Sequence, residues 1–250
     1  MITSQWCKQL VYILSIVLFV SAFEGRTQDI DLKFTHLNTD EGLSTGTVNC
    51  VFKDSKGFIW IGTVDGLNRY NAYSIKIFKT DPNDPASIGG NIISTIAEDH
   101  LGRIWVGTRT AGISIFDWET ETFSHHKNTD DPGSLSNNYV RKILIDNQNN
   151  VLVGTSGGLN VYNWEDGTFE RLLHDPENPS TVSHNTVFSI VEDAPGLFWV
   201  GSHSGGVDYL NLKARTFKHF YYEKNYEVAL TNRKPLMKDS SGNIWIGTDG

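Results

Sequence analysis

From residue 45 onward, short apolar runs alternate with turn-forming residues. Apolar positions cluster at Val48, Val51 and Phe52, at Ile93, Ile96 and Ala97, and at Val140, Ile143 and Leu144. Each cluster is near-continuous rather than alternating, which predicts a strand buried on both faces. Each leads into Asp-x-x-Gly, where the carboxylate caps turn amides and the glycine takes a positive φ. A second strand is predicted over Phe58 to Gly62, its Trp60 suited to a large flat packing site. A glycine (Gly66, Gly112, Gly158 or Gly206) opens a third strand, and Ile75 to Phe78 form the fourth in the first copy.

The unit recurs. Trp60-Ile-Gly-Thr63, Trp105-Val-Gly-Thr108, Leu152-Val-Gly-Thr155, Trp199-Val-Gly-Ser202 and Trp245-Ile-Gly-Thr248 follow one another at intervals of 45, 47, 47 and 46 residues. Asp54, Asp99, Asp146, Asp193 and Asp239 each stand six residues before the first position of that string. Three residues after the Asp comes Gly57, Gly102, Gly196 or Gly242, with Asn149 in the third copy. Phe78, Phe123, Phe169 and Phe217 mark the fourth strands. A fixed period with four short strands per repeat predicts an all-β protein, a β-propeller of four-stranded blades.

One such sheet cannot cover both its faces, so blades stack around an axis, and ring closure removes sheet edges. The repeats place blades at 38–83, 84–129, 130–176, 177–222 and 223–250, the last cut short, within a propeller region 23–250. Residues 30–37 align with a fourth strand, Phe34 lying 44 residues before Phe78, and are expected to be the outer strand that completes the last blade of a ring. The sequence is therefore expected to be an N-terminal portion of a longer chain.

Composition agrees with strands and turns: 7 Trp, 13 Phe, 9 Tyr and 23 Gly in 250 residues. A formal charge of −8, with no Lys/Arg run, argues against nucleic acid as a partner. The N-terminus has Lys8, then apolar residues from Leu10 to Phe23 interrupted by Ser15 and Ser21, then polar Glu24 to Thr27. That is the layout of a secretory signal over 1–22, with small residues Ser21 and Ala22 before the cut, and it predicts a periplasmic chain. An uncleaved anchor is the alternative, though the stretch is short of the ~20 residues of a bilayer span. After cleavage Cys50 is the only cysteine, so no internal disulfide forms.

Leu43-Ser44, Asp54-Ser-Lys-Gly57, Phe58-Ile-Trp-Ile-Gly-Thr63 and Gly66-Leu-Asn-Arg-Tyr70 resemble the two-component regulator propeller repeat. So do the connectors Asp81-Pro-Asn-Asp-Pro-Ala-Ser87, Asp130-Asp-Pro-Gly-Ser134 and Asp175-Pro-Glu-Asn-Pro-Ser180. The resemblance implies the periplasmic sensor of a hybrid histidine kinase that detects oligosaccharides and works as a homodimer. Its membrane attachment, kinase, receiver and DNA-binding modules would lie beyond residue 250, so this segment itself is expected to be no enzyme.

No nucleotide-binding, metalloprotease, thiol-redox or serine-hydrolase motif is present, and no cofactor, metal or catalytic residue is expected. The repeated Asp and Trp residues read as turn and core residues, and Cys50 as a substitution at the site of Thr95, Lys142, Ser189 and Pro235. Repeated positions serve the fold, so ligand chemistry is sought where copies differ. The connectors entering first strands and those between second and third strands share one propeller face. They carry Asn91, Asn138 with Tyr139, and His184 with Asn185 on the first, and Asp65, Arg109 and His203 on the second. Arginine and tyrosine suit sugar hydroxyls, a uronate and an apolar sugar face. The paired His184 and His203 keep open a propeller enzyme of the streptogramin-lyase type, and a non-catalytic protein-docking propeller is the other alternative.

Overall fold

The computed structural model describes residues 36–203, 206–220 and 235–247, and every strand below falls in the unit Leu37–Gly250. The first sheet comprises β1 (Val48–Lys53), β2 (Ile59–Thr63), β3 (Gly66–Tyr70) and β4 (Ile75–Phe78). The second holds β5 (Ile93–Glu98), β6 (Ile104–Thr108), β7 (Ile113–Phe116) and β8 (Phe123–His126). In the third are β9 (Val140–Ile145), β10 (Val151–Thr155), β11 (Gly158–Tyr162) and β12 (Phe169–Leu172). The fourth contains β13 (Val187–Ala194), β14 (Leu197–Ser202), β15 (Val207–Asn211) and β16 (Thr216–Phe220), and β17 (Leu236–Lys238) pairs with β18 (Ile244–Ile246). Each sheet is an antiparallel meander in chain order, so the described chain is four propeller blades and part of a fifth. The signal segment 1–22 lies outside the described residues, as does all of the expected closing strand except His36 and Leu37, which are not in a strand.

The first strands β1, β5, β9, β13 and β17 neighbour one another in sequence order, which sets them on the axial side. The core lies between blades. Trp60, Leu67 and Phe78 pack with Ile88, Ile93, Ile104 and Phe116 of the next blade. Ala97, Trp105 and Ile113 meet Val140, Ile143 and Val151, and Leu152 and Leu159 meet Val187, Ile190 and Phe198. The Gly of each Gly-Thr string permits this approach: a Cβ on Gly62 would lie 2.6 Å from Ile93 Cγ2, and one on Gly107 2.6 Å from Val140 Cγ1.

The turn aspartates do what their spacing predicts in four copies. Asp54 accepts the Phe58 amide at 2.8 Å and the Trp60 indole at 2.7 Å. Where Leu152 replaces Trp, Asp146 takes the Asn150 side-chain amide at 2.8 Å, so its second oxygen keeps a donor. Asn149 fills the glycine position with φ 63°.

The fourth copy departs from the expected turn. Asp193 stands inside β13 at a bulge and accepts Tyr209 Oη at 2.8 Å and Lys238 Nζ at 3.2 Å. Pro195-Gly196 makes the reversal instead, Gly196 at φ 76°, so no carboxylate is needed at the corner. In the fifth blade the first strand begins only after Pro235, which has no amide to give the ladder.

Candidate functional site

The two connectors assigned to one face meet in every complete blade. The amide after the second strand donates to the carbonyl just before the first: Val64 to Thr47 (3.2 Å), Arg109 to Ile92 (2.9 Å), Ser156 to Tyr139 (3.0 Å) and His203 to Thr186 (2.9 Å). Immediately inside, each first strand carries a β-bulge, at Asn49, Ser94, Arg141 and Phe188. A bulge re-aims its side chain out of the strand's alternation. In the first two blades that side chain ties to the next blade, Asn49 Nδ2 to Ile93 O at 2.8 Å and Ser94 Oγ to Val140 O at 2.6 Å.

In the third and fourth blades the same position is chemically different. The Arg141 guanidinium lies 4.1 Å from the Tyr139 ring centre and 4.4 Å from that of Phe188, and its Nε donates to Ser156 Oγ at 2.9 Å. Arg109 reaches the same tyrosine, 5.8 Å from its ring centre, and its Nε is buried with no hydrogen-bond partner. Phe188 lies 6.2 Å from the His203 ring, which lies 5.1 Å from His184. These six half-buried side chains make one continuous patch of rings and guanidinium groups across blades two to four. Each cation–ring contact within ~6 Å contributes roughly 0.5–2 kcal/mol, more as water is excluded.

Of the sequence candidates, Arg109, Tyr139, His184 and His203 therefore come together. Asp65 does not: it pairs with Lys79 at 2.6 Å on the first blade. Asn91, Asn138 and Asn185 use their side-chain oxygens to accept the amides of Thr80 (2.8 Å), Asn128 (2.7 Å) and His174 (2.7 Å), which staples each blade to its connector. Arg141 and Phe188 were not anticipated. Comparing Asn49, Ser94, Arg141 and Phe188 across copies would have found them, because that position varies as much as that of Arg109.

Burial, with the charges of His203 and His174 second and third, holds His184 below the usual imidazole value, and its Nδ1 accepts the Thr186 amide at 2.9 Å. It is thus a neutral acceptor at neutral pH. Burial pushes the Cys50 thiol up to about 11, which makes it a poor nucleophile. Among the described residues no three His, Cys, Asp or Glu side chains gather to hold a metal. A cavity of about 480 Å³ lies at the opposite end of blades three and four, lined by hairpin residues such as Asn150, Thr168 and Gly196, with the Glu170–Arg215 ion pair (2.7 Å) among its lining.

The model of the two component regulator propeller family matches residues 42–65, 87–110 and 134–157, so the first three blades carry that family's repeat. A histidine kinase of Formosa agariphila is 31% identical over 241 residues, 94% of this chain and 17% of that protein. The extracellular domain assigned to a hybrid two-component system of B. thetaiotaomicron has 28% identity and a TM-score of 0.73, over 86% of this chain and 29% of that one. The extracellular domain assigned to a one-component system of the same organism has 23% identity and a TM-score of 0.69, over 85% and 30%, and shares the fold. The chain thus spans less than a third of the length of each of these relatives.

Proposed function

We propose that this chain, whose first three blades carry two-component regulator propeller repeats, is the periplasmic ligand-sensing propeller of a hybrid histidine kinase. Residues 1–22 export it, sequence beyond residue 250 anchors it in the membrane and carries the kinase, and the receptor works as a homodimer. The ligand is an oligosaccharide. The observation that carries this reading is the patch formed by Arg109, Tyr139, Arg141, Phe188, His184 and His203, which occupies positions that the fold itself leaves variable. Flat rings suit the apolar faces of pyranoses, and guanidinium and imidazole groups suit their hydroxyls. The patch is an open surface of half-buried groups, so binding is modest and reversible, as a sensor requires.

The test is a saccharide screen against the intact protein, followed by measurement of histidine phosphorylation with the best binder. A saccharide that binds the wild type, binds Phe188→Ala at least several-fold more weakly and changes phosphorylation supports the reading. Saccharide binding that Phe188→Ala and His203→Ala leave intact removes the ligand from this face.

A further inference from the structure

We propose that the ligand carries an acidic group, a sugar carboxylate or sulfate, and that Arg109 and Arg141 hold it. This rests on the ligand-sensing reading of the same patch. Two guanidinium groups converge on one ring, that of Tyr139, at 5.8 and 4.1 Å. Two like charges set around one side chain raise the local attraction for an anion.

Among the described residues no carboxylate pairs with Arg109. The described carboxylates that pair with basic side chains do so elsewhere: Asp65 with Lys79, Asp99 with Arg103, Glu121 with Arg69 and Lys76, Glu170 with Arg215, Asp193 with Lys238 and Asp208 with His219. Arg109 Nε is buried and lacks any hydrogen-bond partner, the one such atom in the patch among the described residues. A buried guanidinium donor left unmade is costly, and a ligand oxygen removes that cost. Arg109 is also specific to its copy, since Val64, Ser156 and His203 occupy the equivalent positions. The chain as a whole carries a formal charge of −8, so an anion would be held here by local groups and not by the net charge.

The arrangement divides the work. Planar guanidinium groups grip the two oxygens of a carboxylate or sulfate side by side, a geometry an ammonium does not offer. Tyr139 and Phe188 offer ring faces to the sugar that bears the group. His184, held neutral by burial, adds no charge that would compete with the arginines at neutral pH.

Isothermal titration of the intact protein with three tetrasaccharides of matched length tests this: an oligouronate, a sulfated one and an uncharged glucan. At least one acidic probe is expected to bind about tenfold or more tightly than the glucan, with affinity falling as salt rises. Arg109→Ala is expected to remove that preference, and Arg109→Lys to recover only part of it, at a melting temperature matching the wild type. Preference for the sulfated probe assigns a sulfate and preference for the uronate a carboxylate. Equal binding of glucan and acids, or an acid preference that survives Arg109→Ala, Arg109→Lys and Arg141→Ala, overturns the acidic-group inference and leaves the sensing reading standing, provided Phe188→Ala weakens binding. Absence of binding to all three probes, together with no hit in the wider screen, removes both.

Discussion

Trp105 donates its indole N–H to a carboxylate oxygen of Asp99, six residues back along the chain, at 2.9 Å. Arg103 Nε donates to the same oxygen at 2.8 Å, and the other oxygen of Asp99 accepts the amides of Leu101 and Arg103, both at 3.0 Å. One fully buried carboxylate therefore joins a hairpin turn to the largest side chain of the interface between two blades. Asp99→Ala leaves an indole, two amides and a guanidinium without their acceptor. It is expected to lower stability by about 2–3 kcal/mol and leave ligand affinity unchanged. Denaturant unfolding of the intact protein, followed by tryptophan fluorescence, measures the first quantity. Asp193→Ala is expected to cost less, because Asp193 is part-exposed and caps no turn.

That contrast shows what the sequence made legible. Strand order and turn chemistry follow from residues that recur every ~46 positions, since any blade that lost them would fail to pack on both neighbours. Asp193 was misread because only its spacing was considered, while Pro195 and Gly196 supply the corner themselves. The same logic sorts the site candidates. Asn91, Asn138 and Asn185 recur in three copies and serve the fold, whereas Arg109, Tyr139 and His203 do not recur. Arg141 and Phe188 stayed hidden because a bulge breaks the alternation by which strand faces are read from sequence.

His126 gives the inter-blade packing a pH dependence. It is mostly buried, stacked 6.2 Å from the Trp105 ring and 5.4 Å from that of Phe169. Burial first, then the charges of Arg103 and His125, lower it from the ordinary value of 6.5. The folded state therefore prefers neutral His126, the unfolded state takes up its proton first, and the stability it contributes is present above 6.5 and lost as pH falls through the lowered value. Melting temperature is expected to decline from neutral pH toward pH ~5, and His126→Phe to flatten part of that decline. An unchanged slope in the variant would assign the decline to other groups.

The first and fifth blades present faces that their counterparts bury. Val51 is 63% exposed where Ile96 and Ile143 are 8% and 2%, and Trp245 is 59% exposed where Trp105 is fully buried. Residues 37–250 expressed by themselves are expected to bind a hydrophobic dye and to associate. Val51→Lys is expected to reduce both effects, which light scattering and dye fluorescence measure.

Asn138 and Tyr139 are neighbours in sequence, and the structure gives them opposite roles. The Asn138 side chain accepts the Asn128 amide at 2.7 Å, and its carbonyl accepts the amide of Gly112 in the preceding blade at 3.0 Å. Tyr139 is held by its backbone, its amide bonded to Asn137 Oδ1 at 2.8 Å, so its ring is left to meet the two arginines. Asn138→Ala is therefore expected to lower stability by about 1 kcal/mol with affinity nearly unchanged. Tyr139→Ala is expected to weaken saccharide binding by about 1–3 kcal/mol, because a stacking face and two cation–ring contacts go together, with little change in melting temperature. Calorimetric titration and thermal unfolding of both variants in the intact protein separate the two effects. If Asn138→Ala reduced affinity and Tyr139→Ala reduced only stability, the patch around Arg109 and Arg141 would be a packing feature, and the ligand would have to be sought elsewhere on the receptor.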